Sequence, residues 1–213
     1  MSGRRSARSC VAWLALAAAV SGLAVAEEAP PEPLTDGEKQ LGTAFLSFTS
    51  RFGFSRLVGS SRTATGLLFQ YLPEEASAED WRFRGNVLLV RLGEDAASGA
   101  AALPRYVEAF ESQIQSLNDS ILVRSDAGDV AYVDYELGEG TAFRHNLAAI
   151  WQAMPGVIAV FQAQRRPVRF DAEQIEQFKL VVLEIAQAPL DPDAAPHEKK
   201  PDEGPDEASG SSP

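Results

Sequence analysis

A histidine preceded by two carboxylates is the most obvious candidate in this sequence for proton transfer near neutral pH. His145 follows a glycine-rich turn, and Asp134 and Glu136 lie in the apolar run before that turn. An imidazole next to a carboxylate can act as a general base if neighbouring strands bring the two groups together. A histidine at a strand end more often makes a structural hydrogen bond, and Ser60 and Ser61 lack the G-x-S-x-G motif of a serine hydrolase. The sequence therefore predicts no catalytic residue and leaves a hydrolase that uses His145 as an alternative.

An acidic stretch in the same region raises the possibility of calcium ligation through oxygen. Its members are Asp126, Asp129, Asp134, Glu136 and Glu139. They lack the D-x-D-x-D-G spacing of a calcium loop, and acidic residues in turns are usually just solvated. We therefore expect no metal site and no cofactor.

The arginines have the most unusual distribution among the charged residues. Eight of the twelve that follow residue 26 lie on or beside predicted strands, at positions 82, 84, 91, 124, 144, 165, 166 and 169. The planar guanidinium suits carboxylates and phosphates, so arginines gathered on one face would form a basic patch for an acidic partner, a phosphorylated lipid or a polyanionic glycan. The alternative is ordinary edge-strand charge paired with the abundant acids. The candidate binding residues are Arg82, Arg84, Arg144, Arg165, Arg166, Trp81 and Trp151.

The first 26 residues have the pattern of a secretory signal peptide. Arginines at positions 4, 5 and 8 precede an apolar run, and Ala24-Val25-Ala26 forms an A-x-A cleavage site before Glu27. The apolar run is shorter than the roughly 20 residues that a membrane-spanning helix needs, although an uncleaved anchor is the alternative. The one cysteine of the chain, Cys10, lies inside this segment. We therefore expect a periplasmic or secreted protein with no thiol chemistry and no membrane span after cleavage.

The charge balance of the sequence is acidic. Removal of residues 1–26 takes away three of the 19 basic residues and none of the 30 acidic ones, so the net charge falls from −11 to −14. This sign argues against non-specific binding to nucleic acid or anionic membranes. Residues 27–33 form a proline-rich lead, and residues 190–213 have the composition of a disordered acidic tail. Residues 34–189 between them have the length of a single domain.

The chain between residues 143 and 166 predicts the central hairpin of this domain. Pro155-Gly156 suits the two central positions of a type II turn between two long apolar runs. A two-residue loop makes Met154 the last paired residue and places Trp151 opposite Val160. Both faces of the ribbon are then apolar, which is typical of strands in the middle of a sheet that is covered on both sides.

Three apolar stripes at helical spacing predict helices before, within and after the strands. Thr35 and Glu38 form a capping box at the start of the first helix, and Asp171 with Gln174 caps the last one. We expect the first helix to pack on the sheet, the alternative being a docking helix for a partner. The predicted helices cover residues 35–52, 103–117 and 172–188. The predicted strands cover residues 65–72, 81–92, 121–124 and 130–137 and the two arms of the hairpin.

The order helix, two strands, helix, four strands, helix predicts an α+β fold, with an antiparallel sheet of about six strands and helices packed on its faces. With the runs W-x-F…VLLVRLG and AYVDYELG and an export signal, this order resembles the PsbP-like fold family of extrinsic photosystem II proteins and many bacterial envelope proteins. The resemblance covers residues 65–188. It implies a domain used mainly for binding and assembly, and it transfers no functional residues. An NTF2-like cone is the alternative fold, although the helix after the sheet fits it poorly.

Together these features predict an exported, non-enzymatic envelope accessory or assembly protein that binds another envelope protein. A periplasmic carrier of a lipid or other apolar ligand is the first alternative, with a cleft lined by Trp81, Trp151 and phenylalanines. A hydrolase that uses His145 is the second. The sequence predicts neither the identity of the partner nor the oligomeric state.

Overall fold

The computed structural model describes residues 34–63, 65–79, 81–92, 102–117 and 122–188. The predicted domain falls almost entirely within these ranges. The predicted signal peptide, the proline-rich lead and the acidic tail lie outside the described residues.

Three α-helices, seven strands and two short 3₁₀ turns, Ser50–Phe52 and Gly140–Ala142, form the regular structure of the described residues. The helices are α1 (Asp36–Thr49), α2 (Ala102–Ser116) and α3 (Ala172–Gln187). The strands are β1 (Arg56–Thr63), β2 (Gly66–Leu72), β3 (Phe83–Arg91), β4 (Leu122–Ala127), β5 (Val130–Leu137), β6 (Arg144–Met154) and β7 (Val157–Arg165).

All seven strands belong to one antiparallel sheet with the order β1-β2-β3-β7-β6-β5-β4. The sheet consists of two meanders, β1 to β3 and β4 to β7, whose last strands β3 and β7 pair in its middle. The segment with α2 connects the two meanders. The α+β class with an antiparallel sheet, predicted from the order of elements, is confirmed.

The sheet contains one strand, β1, that the sequence does not predict. Its sequence RLVGSSRT has few of the β-branched and aromatic residues typical of strands. It lies at the edge of the sheet, its side chains are exposed or half-buried, and its pairing with β2 is irregular between Leu57 and Gly59. Pairing with β2, and not the strand propensity of its own residues, therefore makes this segment a strand.

The sheet is covered on both faces, which we name by their helices. On the helix-pair face, α1 and α3 pack on the sheet, and the ring centroid of Phe161 lies 5.2 Å from that of Phe178 in α3. On the α2 face, Phe110 of α2 meets Tyr135 of β5 at 6.2 Å between ring centroids. Burial on both sides explains why β6 and β7 are nearly continuous apolar runs.

The predicted register of the β6–β7 hairpin is correct only at its turn. Gly156 has a φ of 75°, as the second central position of a type II turn requires, and Met154 pairs with Val157. The ladder then shifts by one residue, so Trp151 pairs with Ala159 and not with Val160. A β-bulge inserts one extra residue into one strand of a pair, and nothing in the apolar run marks its position.

Helix α1 packs closely on the sheet of its own chain. Its predicted capping box is present, because Glu38 N donates to Thr35 Oγ1 and Thr35 N donates to a Glu38 carboxylate oxygen. Glu38 is buried and accepts a hydrogen bond of 2.7 Å from Arg62 of β1. At the middle of α1, Gly42 O accepts a 2.9 Å hydrogen bond from the Tyr71 hydroxyl of β2.

Two glycines of α1 give a matched test of this packing. A Cβ added at Gly42 would lie 2.6 Å from Cδ1 of the buried Phe69, whereas a Cβ at Gly37 would meet nothing within 4 Å. We expect Gly42→Ala to lower the free energy of unfolding by about 1–3 kcal/mol through overpacking. Gly37→Ala should raise it by about 0.5–1 kcal/mol, because alanine is the better helix former.

Urea denaturation followed by far-UV circular dichroism measures both changes. An equal gain in stability for the two variants would show that α1 does not pack against β2 in solution.

Candidate functional site

The candidate site lies at one end of the sheet, where β3 and β6 begin and β7 ends. We call it the arginine end. The residue pairs Phe83–Arg165 and His145–Arg165 define it. Six of the seven predicted binding residues lie at this end: Trp81, Arg82, Arg84, Arg144, Arg165 and Arg166.

The seventh predicted residue, Trp151, lies toward the opposite end of the sheet. It is 2% exposed and belongs to the core under α1 and α3. The indole therefore packs the interior in this structure and lines no open surface. The sequence does separate the two tryptophans, because Trp151 lies within the apolar run of the hairpin and Trp81 stands between Asp80 and Arg82.

Trp81 is the centre of a cluster of guanidinium groups. The Cζ atoms of Arg84 and Arg166 lie over its ring, at 4.3 Å and 4.4 Å from the ring centroid. Arg166 also donates hydrogen bonds to the carbonyl oxygens of Trp81 and Glu79. These contacts hold the segment before β3 against the end of β7. As a result, Trp81 is only 5% exposed.

Buried amide side chains continue this cluster across the α2 face. Gln164 accepts hydrogen bonds from Arg84 Nε at 3.1 Å and Nη2 at 2.6 Å, and it donates to Asn146 Oδ1 at 3.0 Å. Asn146 Nδ2 lies within hydrogen-bonding distance of the carbonyl oxygens of Tyr135 and Arg144. Both amides are at most 1% exposed. Such a network fixes the positions of its members, because a buried polar group without a partner is costly.

A second set of buried polar groups lies next to the first. Asn86 Nδ2 donates to Gln162 Oε1 at 3.2 Å, and Gln162 Nε2 donates to the Tyr135 hydroxyl. Burial raises the pKa of Tyr135 far above its usual value, although the hydrogen bond from Gln162 opposes this shift. Asn86 Oδ1 is buried without a hydrogen-bond partner among the described residues.

The amide network was missed by the sequence reasoning, although a signal for it exists. Gln162 and Gln164 alternate with apolar residues in a strand predicted to be buried on both faces. A polar residue at such a position needs a buried partner, and Asn86 and Asn146 are the corresponding residues of β3 and β6. The period-two pattern therefore indicates a polar row on one face, although it does not say which arginine joins that row.

Arg144 brings a further positive charge to the cluster. Its guanidinium is half-buried, and both this burial and the nearby charge of Arg166 lower the pKa of Arg144. The second cause shows that like charges are held close together at this end of the sheet. In a protein with a net charge of −11, this end is a local region of the opposite sign.

Arg82 and Arg165 border a pocket of about 270 Å³ beside the start of α3, to which Phe83, Arg166 and Gln174 also contribute. Arg165 Nη1 donates to the side-chain oxygen of Gln174 and, at 3.4 Å, to the carbonyl oxygen of Arg169. Gln174 is the residue that completes the predicted capping box of α3. The pocket thus combines positive charge with a helix terminus whose geometry is fixed.

His145 makes structural hydrogen bonds through both ring nitrogens. Nε2 lies 2.6 Å from Asp134 Oδ1, and Nδ1 accepts a 2.8 Å hydrogen bond from the backbone N–H of Phe170. The ring is buried, with 4% exposed. Neither nitrogen is left for a substrate, so the geometry does not support a general base at this position.

Ser60 and Ser61, which lack the motif of a serine hydrolase, are also far from His145. Ser60 and Ser61 lie on β1, four strands from β6 in the sheet. A spacing of about 4.8 Å per strand puts β1 roughly 19 Å from β6. The described structure therefore brings no serine of β1 to His145.

Three of the five acidic residues of the β4–β5 region have separate partners. Asp126 pairs with Arg124, Asp134 with His145, and Glu136 accepts from Arg169 at 2.9 Å. The last interaction raises the pKa of Arg169. Within the described ranges, no three His, Cys, Asp or Glu residues are grouped so as to hold a metal ion.

Comparison with known proteins does not place the chain in a family. No protein-family model matches it, and no curated protein is significantly similar to it. Among the residues that the structure describes, no helix has the length and apolar character needed to span a membrane.

The two hydrogen bonds of His145 predict how its substitution acts. His145→Leu leaves the buried N–H of Phe170 without an acceptor, which should lower the free energy of unfolding by about 1–3 kcal/mol. His145→Asn places an oxygen close to the position of Nδ1, so the loss should be smaller. Urea denaturation measures the difference between the two variants, and an equal loss would show that the bond to Phe170 contributes nothing.

Proposed function

We propose that this chain is an exported, non-enzymatic envelope accessory or assembly protein, and that the arginine end of its sheet binds an acidic segment of a protein partner. One observation carries the proposal. The guanidinium groups of Arg165 and Arg166 hydrogen-bond to carbonyl and amide oxygens, and neither forms an ion pair with a carboxylate in the described part of the chain. Their charges are oriented by neutral acceptors and remain available to an acidic group.

The composition of the arginine end supports a protein as the partner. Arginine is enriched among the residues that contribute most to protein–protein binding. The buried ring of Trp81 supports two of these arginines, Arg84 and Arg166. The hydrogen bonds of Arg84 and Arg166 hold these side chains in place before binding, so less conformational entropy is lost on association. The positive region should also attract an acidic partner and speed their encounter at low salt.

The compartment and the relationship to other proteins are part of the same proposal. The signal-peptide pattern of residues 1–26 supports a periplasmic or secreted location. The acidic net charge argues against nucleic acid as a partner, and the proposal includes no cofactor. The order of strands and helices is compatible with a PsbP-like domain. That family's association with binding and assembly agrees with the proposed role.

The carrier and the hydrolase remain alternatives that no described feature favours. The cavity between α3 and the sheet, next to Tyr132 and Phe178, measures about 80 Å³, whereas small-molecule sites usually measure about 300–1,000 Å³. A groove of about 640 Å³ beside the start of α2 is bordered by the charged residues Arg124, Asp126 and Asp129. An apolar ligand would have to leave these charges buried and poorly solvated.

Charge reversal at the arginine end tests the proposal. We expect Arg165→Glu/Arg166→Glu to reduce crosslinked capture of the partner from native envelope extract by about tenfold or more, because like charges then face the acidic segment. Arg82→Glu should act in the same direction, and it breaks no hydrogen bond with the described residues. The matched control is Arg105→Glu, which reverses an exposed charge on α2.

Near-UV circular dichroism checks that each variant keeps its tertiary packing. A folded Arg82→Glu variant and a folded double variant that both capture the partner as well as the control does would contradict the proposal. Loss of capture with Arg105→Glu as well would show that net charge, and not the arginine end, determines binding.

A further inference from the structure

The pocket beside the start of α3 combines positive charge with apolar walls. It measures about 270 Å³. Its charged residues are Arg82, Arg165 and Arg166, and its apolar residues include Phe83, Val168 and Phe170. None of the residues that line it is acidic, although the chain contains 30 acidic residues. A ligand for this pocket therefore needs a negative group and an apolar group close together.

Arg165 presents one unused edge of its guanidinium group. Its Nη1 donates to Gln174 and to the carbonyl oxygen of Arg169, and its side chain makes no other hydrogen bond with the described residues. The Nε and Nη2 donors lie side by side on the planar group and remain available. This edge matches the two oxygens of a carboxylate in a bidentate pair.

The position of Arg165 is fixed by the first turn of α3. Gln174 accepts from Arg165 and, at 3.2 Å, from the backbone N–H of Asp171, while the Asp171 carboxylate accepts from Gln174 N at 2.9 Å. The Arg165 guanidinium also lies 6.0 Å from the ring centroid of Phe170. These contacts orient the guanidinium before any ligand arrives, which reduces the entropy that binding would cost.

The apolar wall of the pocket is formed by packed aromatic rings and lies next to the charge. Phe83 stacks on Phe54 with ring centroids 4.3 Å apart, and it meets Phe170 edge-on at 5.8 Å. Val168 at the rim is 50% exposed. The volume of about 270 Å³ leaves room for a group of several heavy atoms, such as one amino-acid side chain with its carboxylate.

We infer that this pocket binds the C-terminal carboxylate of the protein partner together with the apolar side chain of its last residue. A C-terminal residue carries its carboxylate and its side chain on the same carbon, so both groups fit one small pocket. An internal Asp or Glu would require the peptide chain to leave in two directions. The inference rests on the proposed function and assigns the chemistry that the partner presents to Arg165.

N-acetylphenylalanine is a minimal probe for this site, because it carries a carboxylate next to an apolar side chain. Its amide is the matched control without charge, and inorganic phosphate tests for a general anion site. We expect the acid to shift the Arg165 Nε–H resonance of the ¹⁵N-labelled protein in a saturable manner and the amide to leave it unchanged. Phosphate should bind at least tenfold more weakly than the acid.

Substitutions at Arg165 and Gln174 distinguish the contribution of the oriented guanidinium group from that of its positive charge alone. Arg165→Lys keeps the charge but loses the bidentate edge, and we expect at least a fivefold loss of affinity for the acid, followed through the Phe170 N–H resonance. Gln174→Ala keeps Arg165 but removes its acceptor, so a smaller loss is expected. Arg105→Gln on α2 should bind the probe like the unaltered protein.

Equal binding of the acid and its amide, absence of saturable binding, or phosphate binding as tight as the acid would overturn the inference. So would a captured partner whose binding survives deletion of its last three residues, although the proposed function would then stand. Saturable binding of the acid without capture of any partner would instead contradict the proposed function and leave the pocket as a carboxylate site.

Discussion

The pairing of β3 with β7 is the interaction on which the rest of this structure depends. Nine residue pairs, from Phe83–Arg165 to Arg91–Val157, join two meanders that are separated in the chain by α2. The core under α1 and α3 draws residues from both meanders. Without the β3–β7 ladder, neither meander would bury both faces of its last strand. The same ladder fixes which side chains meet at the arginine end, because Arg84 faces Gln164 and Phe83 faces Arg165 only in this register.

This arrangement places a row of polar side chains in the middle of a buried sheet, which costs free energy of desolvation. Asn86, Asn146, Gln162 and Gln164 are each at most 2% exposed, and apolar residues of similar size would avoid the cost of desolvation. Each of them forms at least one hydrogen bond to another side chain, and the row ends at Arg84 over the ring of Trp81. Through its hydrogen bonds, the network of buried amides therefore fixes the orientation of the Arg84 guanidinium group at the end of the sheet.

The sequence was sufficient for the class of fold and for most helix and strand positions, because capping boxes and apolar periodicity are local signals. It failed at β1, which is held as a strand by its neighbour β2, and at the bulge before Met154, whose position no residue pattern marks. The clustering of arginines was predicted only as a possibility, since it depends on the β3–β7 ladder. The capping role of Gln174 and the nearness of His145 to Asp134 follow from local patterns and strand order. The bonds from Arg165 to Gln174 and from Phe170 N to His145 could not be predicted, because they depend on how the chain turns between β7 and α3.

Gln174 has a consequence for the dynamics of α3. Its side-chain oxygen accepts both from Asp171 N in the capping box and from Arg165 at the end of β7. Fraying of the first turn of α3 and reorientation of Arg165 are therefore coupled motions. Any anion that holds Arg165 in its present position should slow amide hydrogen exchange in the first turn of α3. The coupling is reciprocal, so unwinding of that turn should weaken the anion's affinity by the same factor by which the anion stabilises the turn. The helix terminus and the guanidinium thus form one cooperative unit.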